Sequence, residues 1–346
     1  MQGVFGTQLR GMVLCAGMSS RLKDLGAELP KPLLPVCNHP LASYALSLLR
    51  GFGITEIGIN LFHLGELIAE TLGSGADYGV DIRYSQETEL LGTGGGILRM
   101  SDYLTHGGRE PCVIVNGKIL IDVDLEAVLA MHRITGAVAT LVLHETAEAD
   151  QWGAVEVDSD GRIYRMLGES SPLTPPKRMH KCMFTGVHIV EPSVLERLPK
   201  TGQSCIVRQG YLPALREGDV LTAYVTPGYF FEHSTPSRFL QGNINALRGV
   251  AKLQHVPGPL VGVSARAQIS PRAVIRPPVC IGAGAVVEDG AHVGPDVVLG
   301  EGAHVERGVH IERSVVFSGV YVRQSTRDAI VTRRATYPAT ASGSSV

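Results

Sequence analysis

The sequence predicts an α/β chain in two parts: a doubly wound, mostly parallel sheet, then a short parallel β-helix. Three observations lead there. Short apolar runs alternate with amphipathic stretches through the first 135 residues, the pattern of strand–helix units feeding a parallel sheet. Glycine is abundant, 41 of 346 residues, and aromatics are only 5%, which suits α/β turns and solenoid corners better than an aromatic-rich sandwich. Between residues 269 and 321 an apolar residue returns at every sixth position. A chain of 346 residues, 44% hydrophobic, has material for two cores.

The elements follow in order. Residues 11–15 (GMVLC) read as a buried strand running into the small-residue turn 16–21 (AGMSSR). Residues 40–52 have helical periodicity, 54–60 read as a strand, 64–72 as a helix and 80–85 as a strand. The run 92–96 (GTGGG) reads as a Gly-rich turn opening the segment 97–103. Residues 112–115 (CVIV) form another buried strand and 125–135 a helix, with one of Asp122 and Asp124 its expected N-cap. Beyond residue 137 the pattern mixes, with strands expected at 138–144, 153–157 and 185–190 and helices at 192–197 and 206–216. Ligands of such a sheet sit at the carboxyl ends of its strands.

The hexads are Ile269, Ile275, Ile281, Val287, Val293, Leu299, Val305, Ile311 and Phe317, each followed four residues later by a second apolar side chain, from Ala273 to Tyr321. A period of six is too long for a helix or a single strand, and it fits a parallel β-helix with one hexad per face. Nine hexads at three per coil make about three coils. The expected domains are therefore 9–250 (the α/β part) and 258–322 (the β-helix), with 333–346 a disordered tail poor in large apolar groups.

The formal charge of −2, from 31 basic and 33 acidic side chains, offers no broad attraction to nucleic acid or anionic lipid, so any phosphate binding must be local. The six cysteines include no C-x-x-C pair, which argues against structural zinc, and reduced thiols point to the cytoplasm. No apolar run approaches the length of a membrane span and no signal-peptide pattern is present.

One constellation carries chemistry. A buried strand ends at Leu14, the turn Cys15, Ala16, Gly17, Met18, Ser19, Ser20 follows, and Arg21 and Lys31 come after it. Backbone N–H groups of such a turn can bind phosphate oxygens, Arg21 can fork across two of them, and Lys31 adds a mobile charge. An ordinary βα loop with two surface cations would look the same.

The ordered series of motifs resembles the NDP-sugar pyrophosphorylases, the sugar-1-phosphate nucleotidyltransferase family, and within it the mannose-1-phosphate guanylyltransferase branch. The resemblance rests on LCAGMSSRL and PKPLLPVCNHPL, then LGTGG at 91–95, VNG at 115–117, WGAVEVD at 152–158, FTGVHI at 184–189 and GYFFEHSTPSRF at 228–239. It implies a Rossmann-like catalytic domain and a C-terminal left-handed β-helix. It also implies a reaction in which a sugar-1-phosphate oxygen attacks the α-phosphorus of a nucleoside triphosphate, giving an NDP-sugar and pyrophosphate. By the same resemblance Arg21 and Lys31 are catalytic, and the turn 14–20 with Gln86, Gly92 and Thr93 holds the nucleotide. Asn116, Gly153, Glu169 and Thr185 would face the sugar. Mg²⁺ held by two aspartates is the family's cofactor, and a homo-oligomer or association with a paralogue its expected assembly.

Four positions depart from the family pattern. Ser19 stands for a turn glycine. Lys118 stands where the first metal aspartate belongs, and Glu232 where the second does. Ser170 replaces the lysine that grips the sugar phosphate. Two aspartates contribute −2, whereas Lys118 with Glu232 contributes 0. Either Lys118 replaces the metal and pairs with the triphosphate, or it pairs with Glu232 and plugs the site; the second is expected in the unliganded protein. Asp122 is an alternative metal ligand. An active enzyme and an impaired nucleotide-binding regulatory homologue both remain open at this point; a β-helix acyltransferase does not fit so short a helix.

Overall fold

A computed structural model describes residues 9–340. The chain divides into two compact units. The first comprises the residues up to Met18, Ala45–Gly117 and Ile121–Phe230; the second comprises Ser19–Tyr44, Lys118–Leu120 and everything from Phe231 onward.

The first unit is built on one mixed sheet. Its strand order is Glu169–Ser170, Ile163–Met166, Val155–Val157, His180–Val190, Cys112–Asn116, Arg10–Leu14, Glu56–Leu61, Asp81–Gln86; Ala139–Glu145 also pairs with His180–Val190 and carries Leu221–Val225 on its other side. Arg10–Leu14 lies parallel to both Glu56–Leu61 and Cys112–Asn116, with Leu14 opposite Asn60 and Asn116. These central strands are continuous apolar runs because both faces are covered: Met12, Val13, Ile57, Ile59, Ile114 and Val115 are all fully buried. The antiparallel strand His180–Val190 then extends the sheet across Cys112–Asn116.

Helices end where local chemistry says they should. Leu125–Thr135 starts at Asp124, whose carboxylate accepts from the Ala127 amide at 3.0 Å, and stops at Gly136 in the left-handed region. The glycine run differs from expectation. Gly92–Arg99 is helical from its first glycine, because Gly94, Gly95 and Gly96 pack closely against neighbouring segments. The stretch 206–216 is likewise not one helix but a π-turn, Ile206–Tyr211, followed by Leu212–Glu217.

The second unit contains the parallel β-helix. Each coil is 18 residues, three hexads: Gln268 pairs with Val286 and Val286 with His304, while Val274 pairs with His292 and His292 with His310. The hexad positions from Val279 to Ile311 form its core. After Ile311 the frame shortens by one, Leu299 pairing with Val316 and Val305 with Val322. Val316 and Val322 are therefore the inward residues; Phe317, expected to point in, is half-buried, and Tyr321 is exposed. Arg313, with φ 44°, lies in the stretch where the frame shifts. Pro236–Leu247, capped by Thr235, packs on the outside of this β-helix, its Phe239 ring meeting Phe317 edge-on at 6.2 Å.

The tail is a second correction. Residues 333–340 are ordered, and Thr336–Pro338 pairs antiparallel with Thr326–Val331 because the last rung offers an open edge. Residues 341–346 of the expected tail lie outside the described residues.

Candidate active site

In the first unit the signature strand delivers Leu14 and Cys15 to a tight turn. The Gly117 amide donates to Leu14 O at 3.0 Å and the Gly17 amide to Cys15 O at 2.9 Å. Gly17 and Met18 are exposed. Cys15 is not: burial pushes its thiol up to about 12, which leaves it inert as a nucleophile. Its amide donates to Asn60 Oδ1 at 3.0 Å, Asn60 Nδ2 donates to Glu87 Oε1 at 2.7 Å, and Glu87 Oε2 accepts from the Leu91 amide at 3.0 Å. Asn60 and Glu87 are both buried. This chain of bonds ties the signature turn to the LGTGG turn. Sequence reading passed over both residues, although an Asn closing an apolar strand and a Glu between strand and Gly-rich turn are the signals that mark them.

The LGTGG turn is pinned on its other side. Ser204 O accepts from Gly94, the Ser204 amide donates to Leu91 O, and Thr93 Oγ1 accepts from the Ile206 amide at 3.1 Å. At Gly92, φ +72°, any Cβ would run into Ser204 O. Thr93 and Gln86 remain exposed. Asn116 ends its strand packed over Gly186, φ +85°, where a Cβ would overlap its amide nitrogen. Gly153, φ +80°, keeps a similar clearance from Leu167, and Glu169 is half-buried on a short strand. Thr185 departs from expectation. It is buried and its hydroxyl donates to Val142 O at 2.7 Å, so it braces the sheet.

The cations and their carboxylate all belong to the second unit. Lys118 Nζ lies 2.9 Å and Arg21 Nη2 3.2 Å from the same Glu232 oxygen. Lys31 is buried, and its amide is held at 2.9 Å by the hydroxyl of Ser19. Ser19 itself adopts the left-handed conformation, φ 51°, and is buried, so the serine in place of glycine braces the Lys31 backbone. The His233 amide donates to Lys118 O and the Arg238 guanidinium to Glu232 O, which fixes the backbone of both partners.

Electrostatics follow from this packing. Burial lowers Lys31, and the charges of Lys118 and Arg21 lower it further, to about 8, with Glu232 pulling the other way. Burial pushes the Glu232 carboxyl up, but the charge and hydrogen bond of Lys118, then Arg21 and Lys31, outweigh it and hold the carboxyl below its ordinary value. His233 is pushed down to about 3, first by burial and then by Arg238, so it is neutral at physiological pH.

Three cations around one carboxylate leave a local charge of +2. The one carboxylate oxygen expected to bind a metal is taken by an ammonium and a guanidinium. Among the described residues no group of three or more His, Cys, Asp or Glu side chains is placed to hold an ion. Asp124 serves as the helix cap, and Asp122 accepts at its backbone carbonyl from Thr226. These residues do not fit a two-carboxylate Mg²⁺ site. What the arrangement can do is bind a polyanion and neutralise charge on phosphate oxygens.

Residues 10–227 match the nucleotidyl transferase family, and residues 275–337 match the GMPPB C-terminal domain. This chain belongs to the nucleotidyl transferase family. Its relatives include the mannose-1-phosphate guanylyltransferase of Mycobacterium tuberculosis, 28% identical over 245 residues, 70% of this chain and 66% of that protein. The probable mannose-1-phosphate guanylyltransferase 2 of Arabidopsis thaliana is 28% identical over 283 residues, 78% of this chain and 76% of the relative. The UTP--glucose-1-phosphate uridylyltransferase of a Synechocystis strain is 29% identical over 202 residues, 55% of this chain and 51% of the relative. Among solved structures, HddC from Yersinia pseudotuberculosis superposes with a TM-score of 0.56 at 19% identity, over 68% of this chain and 98% of that one, a likeness of fold. No helix among the described residues is long and apolar enough to cross a membrane.

Proposed function

We propose that this nucleotidyltransferase condenses a nucleoside triphosphate with a sugar-1-phosphate, GTP and mannose-1-phosphate being the favoured pair, to give the NDP-sugar and pyrophosphate. One observation carries the reading: Arg21, Lys31 and Lys118, far apart in sequence, share a single counter-charge at Glu232, a cluster with positive charge to spare for a triphosphate. In the reaction a sugar-phosphate oxygen forms a bond to the α-phosphorus as the bond to the β-phosphate oxygen breaks. Lys31, already pulled toward neutrality, regains full charge when a phosphate oxygen approaches, so its stabilisation grows with the charge on that oxygen. Lys118 and Arg21 exchange Glu232 for phosphate oxygens on the same event. Gln86, Gly92, Thr93, Asn116, Gly153 and Glu169 retain, by resemblance, their assignments to base, ribose and sugar.

Several relatives are named mannose-1-phosphate guanylyltransferase, which supports the guanine–mannose pair. One, from Drosophila pseudoobscura pseudoobscura, is named a catalytic subunit beta, which supports an assembly with a second subunit or copy. The test is pyrophosphate release from each nucleoside triphosphate with each sugar-1-phosphate, with and without Mg²⁺. Release with GTP and mannose-1-phosphate, abolished by Lys31→Met, is expected; tight nucleotide binding without release from any pair would replace this reading with a binding role.

A further inference from the structure

The cation cluster is built against a divalent ion, and the same build says what it takes instead. Lys118 Nζ and Arg21 Nη2 converge on Oε1 of Glu232, at 2.9 and 3.2 Å. The charges acting on buried Lys31 are Lys118, Arg21 and Glu232, with no second carboxylate among them. Mg²⁺ takes hard oxygen ligands, commonly one or two carboxylates besides the phosphates of a substrate. An ion at Glu232 would have to displace two cations from its oxygen, or stand on the other oxygen within the field of all three. That repulsion is poorly screened, because the Glu232 side chain is only 12% exposed.

The charge count is specific. Lys118 in place of an aspartate takes that position from −1 to +1, a change of +2, which is the charge of one Mg²⁺; Glu232 in place of an aspartate changes nothing. Near neutral pH, Arg21, Lys31, Lys118 and Glu232 together come to +2. An arginine and a lysine with two aspartates come to 0, and reach +2 only with one Mg²⁺ bound. This chain carries in a side chain the charge that an ion would otherwise bring. The charge is also held in place, since the His233 amide donates to Lys118 O at 3.3 Å and Arg238 Nε to Glu232 O at 2.8 Å. A nucleotide arriving as its magnesium complex has two negative charges already cancelled and fewer oxygens free to accept from the three cations.

We propose that this site takes its nucleoside triphosphate as the free, metal-free polyanion, with the Lys118 ammonium standing in for the ion. That the polyanion is a nucleoside triphosphate rests on the function proposed above; that the cluster prefers a polyphosphate without its metal does not. Magnesium is then a competitor of the protein, because it withdraws the nucleotide into a complex that the three cations bind less tightly.

Isothermal titration of the full chain with GTP, and with inorganic triphosphate as a probe that carries no base, tests it in two buffers, one with EDTA and one with Mg²⁺ in large excess over the probe. Binding is expected in EDTA, and Mg²⁺ is expected to weaken it about tenfold. Lys118→Met should lose about tenfold in EDTA, the worth of one charge-assisted bond, and show a smaller response to Mg²⁺. Lys118→Asp/Glu232→Asp, which supplies two carboxylates, should invert the preference and bind GTP more tightly with Mg²⁺ than in EDTA; the wild-type comparison and Lys118→Met decide the matter if that variant does not fold. No binding in EDTA, binding that Mg²⁺ leaves unchanged or strengthens, or a Lys118→Met response equal to that of the wild type overturns the proposal. Inorganic triphosphate binding without GTP binding upholds the metal-free site and removes the guanine nucleotide instead. Pyrophosphate release followed by phosphorus NMR separates this proposal from the function it deepens. Release that persists in EDTA upholds both. Release that requires Mg²⁺ overturns the metal-free site and leaves the catalytic reading standing, whereas metal-free binding with no release from any pair does the reverse.

Discussion

Replacing Lys118 by methionine keeps the length of the side chain and removes its charge. Glu232 is then left with Arg21 as its remaining ion-pair partner, 3.2 Å away on a half-exposed side chain. Exposed ion pairs contribute about 0–1 kcal/mol, while removing one partner of a buried pair costs about 3–5 kcal/mol. The pair lies between these limits: the Lys118 side chain is 35% exposed and that of Glu232 only 12%. With Arg21 offsetting part of the loss, the expected cost is about 2 kcal/mol, or roughly 4–8 °C in the melting of the unit that contains it. The pH dependence gives the sharper check. Glu232 has a folded pKa below its ordinary 4.5, so its contribution is present in full above 4.5 and disappears as the pH falls through the lower folded value. Melting curves of wild type and Lys118→Met should therefore differ at pH 7 and converge as the pH falls below that lowered value. Equal stability at pH 7, or a deficit that persists undiminished in acid, would refute the view that this ion pair fixes the cluster.

Four further outcomes follow from the same geometry. Lys31 titrates near 8, so nucleotide affinity should decline as the pH rises through 8, with the decline moved to higher pH in the complex; a Lys31→Arg variant should show no such decline, and an unchanged profile in both would exclude Lys31 from phosphate binding. Between 8 and 10.5 the unfolded chain binds the proton that folded Lys31 has released, so that residue's share of stability should increase across the window, as denaturant titrations can show. Glu87→Gln places an amide where both neighbours are donors, Asn60 Nδ2 and the Leu91 amide; a loss of about 1–3 kcal/mol and a several-fold rise in KM for the triphosphate, with KM for the sugar phosphate unmoved, is expected in steady-state kinetics. Gly186→Ala forces a side chain into a left-handed position already filled by Asn116, and should raise KM for the sugar phosphate at least tenfold while calorimetric nucleotide binding stays intact.

The strands at 11–15 and 112–115 were legible because each is a short apolar run covered on both faces, and the β-helix because a period of six matches neither the turn of an α-helix nor the alternation of a single strand. The frame shift after Ile311 was not legible: Val315, Val316, Phe317 and Val320 are all apolar, so hydrophobicity alone does not say which one points inward. The Lys118–Glu232 pair could be anticipated from charge, since an ammonium aligned with a lost metal ligand has one carboxylate to meet. The brace formed by Ser19, the Asn60–Glu87 relay and the inward turn of Thr185 could not, because hydroxyl and amide partners depend on backbone placement that no residue pattern encodes. One cavity is lined both by residues 29–33 and by residues 317–334, a separation that only the folded chain closes.

The division of the chain limits how it can be dissected. The segment Ser19–Tyr44, carrying Arg21 and Lys31, is grouped with the β-helix unit and is fastened there by Cys37 to Asn243, Asn38 to Leu299 and Glu28 to Thr332. A truncation at residue 250 that aims to isolate a catalytic fragment would cut away two of those three anchors and leave the lysine-bearing turn without its scaffold. The solenoid is thus no detachable appendage: genetic loss or exchange of the C-terminal module would reach the loop that carries Arg21 and Lys31 as directly as a substitution within it.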